Sequence, residues 1–474
     1  MSQEFDLVVL GGGTGGYVAA IRASQLGMNV AIVEKDKLGG TCLHRGCIPS
    51  KALLRSAEIF ATLKESDKYG IAGVQQASVD FAKVQERKQS IVEQLHKGVQ
   101  YLVRKGKITT FSGFGRVMGP SIFSPQAGSV RIERDNGDQE IIVPRFLLIA
   151  TGSRPRTLPG LTIDGEQVVT TDEALQWKNL PASAMIVGGG VIGIEWASML
   201  SDFGVEVTVV EYADRILPME DEEISREITR LLKKRNVTIL TGAKVLPESV
   251  EKVPGRVAVQ IETAGGNRLI AAERMLVAVG RQPNVENLGL DATEIRLEKG
   301  AIAVNEHFQT AEPHIYAIGD VIGGMQLAHV ASREGILAVE HMAGLSPQPL
   351  DYKLVPRCTY SRPEIASVGW TEEEARQQGY RVKTGKFSFK SLGKALIHGE
   401  NDGFVKLVVD ADTDDLLGVH MIGPHVTDMI AEAGLARLLD ATPWEIGQAI
   451  HPHPTLAEAI MEAALAADGK AIHL

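Results

Sequence analysis

One pattern occurs twice in the chain and leaves few folds open to it. "FDLVVLGGGTGGYVAAIRASQLGMNVAIVEK" opens with an apolar run, Leu7 to Leu10, that reads as a strand buried in a parallel sheet. Gly11, Gly13 and Gly16 follow as G-x-G-x-x-G, then an alanine-rich helical stretch to Gly27, then a strand, Val30 to Val33, that delivers Glu34. "ASAMIVGGGVIGIEWASMLSDFGVEVTVVEY" repeats the unit with strand 185–187, Gly188, Gly190 and Gly193, a helix to Gly204, strand 205–210 and Glu211. In both copies the acid stands 23 residues after the first glycine. The glycines let the backbone turn tightly and approach a pyrophosphate, the helix N-terminus offers free N–H groups, and the acid accepts ribose hydroxyls. A single G-x-G-x-x-G is often only a tight turn. Two copies with the same flanks predict two dinucleotide sites. Either acid repels a 2′-phosphate, which favours NAD over NADP at the second site; Arg215, just downstream, is the counter-signal.

The chain has 474 residues, too many for one core, so two to four domains are expected. "FLLIATGSRPR" (146–156) and "RMLVAVGRQPN" (274–284) read as strands ending in glycine turns, and they bracket the second unit as an insertion between two chain crossings. "HIYAIGDVIGGMQLAHVA" (314–331) reads as a strand ending at Gly319-Asp320, then a helix whose first turn holds Asp320. That carboxylate suits a cofactor's sugar hydroxyl or a helix N-cap, and the two roles are compatible. A net charge of −10 argues against nucleic acid as a partner. No run of 18 uncharged apolar residues appears, and the N-terminus has no basic region before an apolar segment. The expectation is a cytoplasmic protein with no membrane partner.

"GGTCLHRGCIPSK" (39–51) holds Cys42 and Cys47, two of only three cysteines; Cys358 is the third. So few cysteines do not staple a secreted fold, and a reducing compartment is expected. Zinc sites usually show C-x2-C and need two further ligands, and an iron–sulfur spacing would need a cysteine where Ile48-Pro49 stands. No metal is expected. Buried inert thiols and a working redox pair remain. On a regular helix five residues advance about 7.5 Å, beyond the roughly 7 Å limit for bridged Cα atoms. A bridge therefore needs an irregular turn, for which Gly46 and Pro49 are available. A helix starting near Cys47 would favour a thiolate there. Lys51, one turn on, suits a flavin, an acid or solvent. In "AIHPHPTLAEAI" (449–460) His453 offers an imidazole, the side-chain type suited to serve as a base for thiols, and Glu458 can hold its other ring N–H. A metal pair or a plain surface loop are the alternatives. His451 reads as packing or support, and Cys358 as structural.

Taken together, "GGTCLHRGCIPSK", the two cradles, "ATGS", "AIGD" and "HPHPTLAEA" resemble the pyridine nucleotide–disulfide oxidoreductases of the flavin class, over almost the whole chain and in the expected order. The likeness is greatest to the branch that reoxidises dihydrolipoyl groups. The resemblance implies an α/β fold with two Rossmann-like domains and a C-terminal α+β interface (dimerisation) domain. Its divisions are 1–150 for FAD, 151–280 for NAD, 281–350 for the second FAD or central part, and 351–474 for the interface. It implies a Cys42–Cys47 disulfide, with Cys42 exchanging with substrate and Cys47 nearer the flavin. His453, backed by Glu458, would act on the partner's cysteines across a homodimer.

For FAD it implies Glu34, Lys35, Gly40, Thr41, Lys51, Gly115, Thr151, Gly152, Ser153, Gly319, Asp320 and Ala328 beside the first glycines. For NAD it implies Glu195 as partner of Lys51, then Glu211, Val277, Gly280 and Arg281. The implied partner is the lipoyl-bearing acyltransferase of a 2-oxo acid dehydrogenase or glycine-cleavage complex. One departure stands out: Leu-His-Arg lies between the cysteines where the commoner pattern is Leu-Asn-Val, so His44 and Arg45 offer positive charge beside the disulfide. Rival readings are a glutathione-reductase-like enzyme, against which Glu211-Tyr212-Ala213 speaks, and a non-catalytic flavoprotein subunit. Mercuric reductase would need a C-terminal cysteine pair that is absent.

Overall fold

The computed structural model describes residues 4–74, 76–120 and 126–473, and divides them into two compact units. The first comprises 1–52, 85–156 and 281–350; the second comprises 53–84, 157–280 and 351–474.

In the first unit Glu4–Leu10 is the central strand. Parallel to it run Val30–Glu34 on one side and the C-terminal half of Gln139–Ile149 on the other, with Thr109–Ser112 and Ile315–Ala317 outside them. Leu7, Val8, Val9 and Leu10 are all buried, and burial of side chains this size contributes roughly 1.5–3 kcal/mol each. Gln139–Ile149 begins seven residues before the strand expected at 146. Its first half pairs antiparallel with Ser129–Glu133, which pairs in turn with Phe114–Met118. One strand thus serves two pairings, and the apolar run marked only the half buried in the parallel sheet. At the chain crossings, Ser153–Pro155 pairs antiparallel with Arg281–Pro283.

The second unit holds a five-stranded parallel sheet in the order Thr238–Leu240, Glu206–Val210, Ser183–Val187, Arg274–Val277, Val168–Val169. Its C-terminal part is an antiparallel sheet of Arg357–Thr359, Glu364–Gly369, Leu416–Gly423, Phe404–Asp410 and Val382–Ser388. Two facing residues of this sheet are polar and buried. Lys406 pairs with Asp221 at 3.0 Å, Glu223 at 2.8 Å and Glu372 at 2.7 Å. Its cross-strand neighbour His420 directs Nε2 at Trp370 O, 2.9 Å away, while Nδ1 is buried without a partner.

Burial holds the His420 pKa below its ordinary value, against the pull of Asp221, the Trp370 carbonyl and Glu220. The unfolded chain therefore binds the proton more tightly than the fold does. The stability that follows is complete above pH ~6.5, the unfolded value, and is lost as pH falls toward the folded pKa. We expect His420→Gln to flatten the decline of chemical-denaturation midpoints between pH 7 and 5; an unchanged slope would show that His420 does not carry it.

Candidate active site

The two glycine loops have the same geometry. Gly11 (φ +103°) and Gly188 (φ +112°) occupy left-handed backbone, and a Cβ on either would lie 2.3 Å from a carbonyl oxygen, of Ala150 or Ala278. A Cβ on Gly16 or Gly193 would lie 1.9 Å from the oxygen of Gly11 or Gly188. These four glycines are demanded by the fold itself. The middle ones are not: the nearest atom to a Cβ on Gly13 is 3.9 Å away, and around Gly190 there is none within 4 Å. The fold leaves that space open just where the helices Thr14–Gln25 and Val191–Asp202 begin, and neither helix has a side-chain cap on its first N–H groups. A cradle that a methyl would fill, lined by free N–H donors, fits the pyrophosphate of a dinucleotide.

Each acid also closes its own loop, a role the sequence did not disclose. Glu34 accepts N–H bonds from Gly12 (2.7 Å) and Asp36 (2.8 Å), and Glu211 does the same from Gly189 (2.5 Å) and Ala213 (2.7 Å). A carboxylate has about four lone-pair sites, so capacity for two ribose hydroxyls remains. Arg215, the counter-signal, donates to Pro218 O at 2.9 Å.

Around the first cradle, Gly40 (φ +58°) stands so close that its Cβ would lie 2.6 Å from Gly13 Cα. Gly115 packs under Leu10, and Lys35 lies over the Phe114 ring at 5.9 Å. Thr151 and Gly152 are tied to Asn284, through Thr151 Oγ1 to Asn284 O (2.8 Å) and Asn284 N to Gly152 O (2.9 Å). Asp320 sits in a short 3-10 turn, Gly319–Ile322, not at the start of the long helix, which begins at Ala328. It does not act as a cap. Its carboxylate takes the Ser153 hydroxyl, and Ser153 in turn accepts from Arg281 Nε at 2.7 Å. Gly319 N–H is held by the buried Glu334 at 2.7 Å. Sequence reading passed over Glu334, although an acid among Val330, Ala331, Gly335 and Ala338 on the buried face of one helix was its signal.

The cysteines lie on two helices. Gly40–Arg45 carries Cys42, and Cys47–Lys64 begins with Cys47; the break is Gly46, at φ −144° and ψ −113°. Pro49 lies in the first turn of the second helix, where its missing N–H costs nothing. Both residues are thiols here, in mutual hydrogen-bond contact. That contact, then burial, then repulsion from a charged Cys47 push the Cys42 thiol far up, while Thr14 and the Lys51 charge pull the other way. A second ionisation of the pair is thus strongly disfavoured. Arg45 is engaged by Asp36, and burial keeps the His44 pKa low.

In the second unit His453 Nδ1 meets Glu458 Oε1 at 2.8 Å, and Glu458 Oε2 accepts the Thr455 N–H at 2.8 Å. Burial alone would raise the Glu458 pKa; the Thr455 N–H, His453 and His451 outweigh it and hold the carboxyl low. His453 is 79% exposed. His451 is the opposite case, 6% exposed and held between Ala449 O (2.9 Å) and Glu432 (2.7 Å). Glu195 is buried and accepts the Tyr360 N–H at 3.0 Å; Val277 is buried, and Gly280 has φ +103°. Among the described residues no group of three or more His, Cys, Asp or Glu is placed to hold a metal, and no helix is long and apolar enough to cross a membrane.

Comparison with known proteins bears on the whole chain. Residues 5–335 match the family model of pyridine nucleotide-disulphide oxidoreductases, and residues 355–464 match the dimerisation domain of the same family. A dihydrolipoyl dehydrogenase of Bacillus subtilis is 64% identical over 100% of both chains, and one of Zymomonas mobilis is 45% identical, also over 100% of both. Among solved structures, LpdA from Mycobacterium tuberculosis has a TM-score of 0.89 at 26% identity, covering 97% of this chain and 98% of its own. With both models together covering nearly all of the chain, it belongs to the pyridine nucleotide-disulphide oxidoreductases.

Proposed function

We propose that the chain oxidises dihydrolipoyl groups, with FAD as its resident cofactor and NAD as acceptor, working as a homodimer. The observation that carries this reading is full-length identity of 64% to a dihydrolipoyl dehydrogenase, joined to the Cys42–Cys47 pair and the His453–Glu458 pair. The rival enzymes have no comparable support.

In this reading the first cradle, Glu34, Lys51 and Asp320 hold FAD, while the second cradle, Glu195, Glu211 and the segment 277–281 hold NAD. Bound FAD supplies two-electron transfer between the dithiol and NAD. The remaining work falls to side chains. His453 takes the proton from one substrate thiol, and Glu458 steadies the resulting imidazolium. The substrate sulfur attacks Cys42 of the oxidised pair, breaking the Cys42–Cys47 bond and forming a mixed disulfide. The second substrate thiol then attacks its own first sulfur. That step releases the oxidised lipoyl ring and leaves two cysteine thiols, so substrate loses two electrons and the protein gains them. His453 belongs to a chain whose C-terminal part matches a dimerisation domain, which supports a site completed across a two-fold axis.

The acyltransferase of a 2-oxo acid dehydrogenase complex, or the lipoyl carrier of glycine cleavage, is the proposed partner. A disulfide that must be cycled suits a reducing compartment, and we place the enzyme in the cytoplasm. Anaerobic titration with dihydrolipoamide, followed by NAD or NADP, tests the whole reading. A thiolate–flavin charge-transfer band discharged by NAD is expected, and a colourless protein or a preference for NADP would contradict it.

The middle glycine gives a separate test. Gly190→Ala meets nothing in the fold and is expected to fold normally while raising the NAD KM by about tenfold or more. Gly193→Ala drives a methyl to 1.9 Å from Gly188 O and is expected to prevent accumulation of folded protein. Equal KM values for Gly190→Ala and wild type would remove NAD from that cradle.

A further inference from the structure

Two histidines meet at one carbonyl beside the cysteine pair. His44 Nε2 and His96 Nδ1 each lie 2.9 Å from Leu38 O, and the rings pack edge to face with centroids 5.0 Å apart. A carbonyl oxygen only accepts, through two lone pairs, so both rings present an N–H to it. The three partners come from three parts of the first unit. Leu38 covers the first glycine loop: its Cδ2 lies where a Gly12 Cβ would be within 2.6 Å, and the next residue, Gly39, donates to Gly12 O at 2.7 Å. His44 sits on Gly40–Arg45, two residues after Cys42, and His96 on the long helix Phe81–Lys105. One oxygen thus ties the cradle, the helix of Cys42 and a 25-residue helix together.

The Cys42 helix needs such a tie. It has six residues, with Gly39 at φ +104° before it and Gly46 after it, and no side-chain cap at its N-terminus. A helix that short does not hold itself, and glycine at both ends leaves its setting free. The Arg45–Asp36 ion pair is too exposed, at 52% and 44%, to fix it.

We propose that His44 and His96 are positioning residues for the dithiol, which clamp the Leu38 carbonyl together and so set where Cys42 stands against the first cradle and against Cys47. The assignment rests on the proposed thiol chemistry of that pair. Neither ring acts on substrate.

The test uses the flavin-loaded dimer with His44→Leu and His96→Leu, which remove the donors, and His44→Gln and His96→Gln, which keep one. The first readout is the exchange equilibrium of the Cys42–Cys47 disulfide in dithiothreitol buffers, followed by counting thiols against the constant contribution of Cys358. The second is the amplitude of the charge-transfer band. We expect each Leu variant to shift the exchange constant by about fivefold or more and to weaken the band. The Gln variants should recover most of both. The double Leu variant should lose less than the product of the two single losses, because both donors act through one oxygen. Leu variants with wild-type exchange and band, or Gln variants no better than Leu, would overturn the clamp. If His44→Leu does not fold, the His96 pair decides by the same readouts. Retained lipoamide reduction in Cys47→Ser would sink the thiol chemistry itself, whereas an inactive Cys47→Ser beside unaltered His variants sinks only the positioning.

Discussion

Cys47→Ser is expected to purify as a yellow, flavin-loaded protein that has lost dihydrolipoamide oxidation by roughly 10⁴-fold or more, a barrier increase above ~5 kcal/mol. The reason is electron bookkeeping at sulfur. Substrate thiols lose two electrons only if a sulfur–sulfur bond breaks to receive them, and a serine oxygen at position 47 leaves Cys42 nothing to be bonded to. Folding should be little affected. Cys47 opens a helix that serine also starts well, and Gly46 still supplies the break before it. Both cradles are untouched, so reduction of the bound flavin by NADH should stay within a few-fold of wild type. Rapid-mixing absorbance with each substrate separates the two half-reactions. A Cys47→Ser enzyme that still oxidises dihydrolipoamide would end the disulfide account, whatever else the relatives share.

Much of this was legible in the sequence because backbone demands residue types there. Gly11, Gly16, Gly188 and Gly193 occupy positions where a methyl would collide with a carbonyl, so the pattern reports the fold directly. The apolar runs at 7–10 and 185–187 likewise report strands buried on both faces. What stayed hidden depends on chain segments far apart in sequence. Nothing local marks Glu334 as the acceptor of Gly319 N–H, or His96 as the second donor to Leu38 O, 58 residues away. The early start of Gln139–Ile149 was missed for a related reason: its first half lies outside the parallel core, so its side chains carry a weak pattern. His44 shows the limit from the other side. Its residue type suggested charge beside the disulfide, and only its burial shows that the ring is held away from protonation.

The second large effect concerns the base. In His453→Gln the thiol half-reaction should fall by about 10²–10⁴-fold, the range for loss of a general base, while NADH-driven flavin reduction is preserved. Geometry gives the order of effects among its neighbours. Glu458 spends one oxygen on the Thr455 N–H at the start of the helix Glu458–Ala467 and the other on His453 Nδ1. This leaves Nε2 of a largely exposed ring to meet the substrate. Glu458→Gln keeps an acceptor for the Thr455 N–H but loses the negative charge that steadies the imidazolium. With the single amide oxygen taken by the Thr455 N–H, the amide N–H2 faces His453 Nδ1 and holds the proton on Nε2, so the loss in the same half-reaction should approach that of His453→Gln. The double variant should be little worse than His453→Gln alone, since Glu458 acts only through that ring. Sedimentation supplies the control: if His453→Gln turns out monomeric and damages both half-reactions equally, the imidazole is holding subunits together and some other group removes the proton.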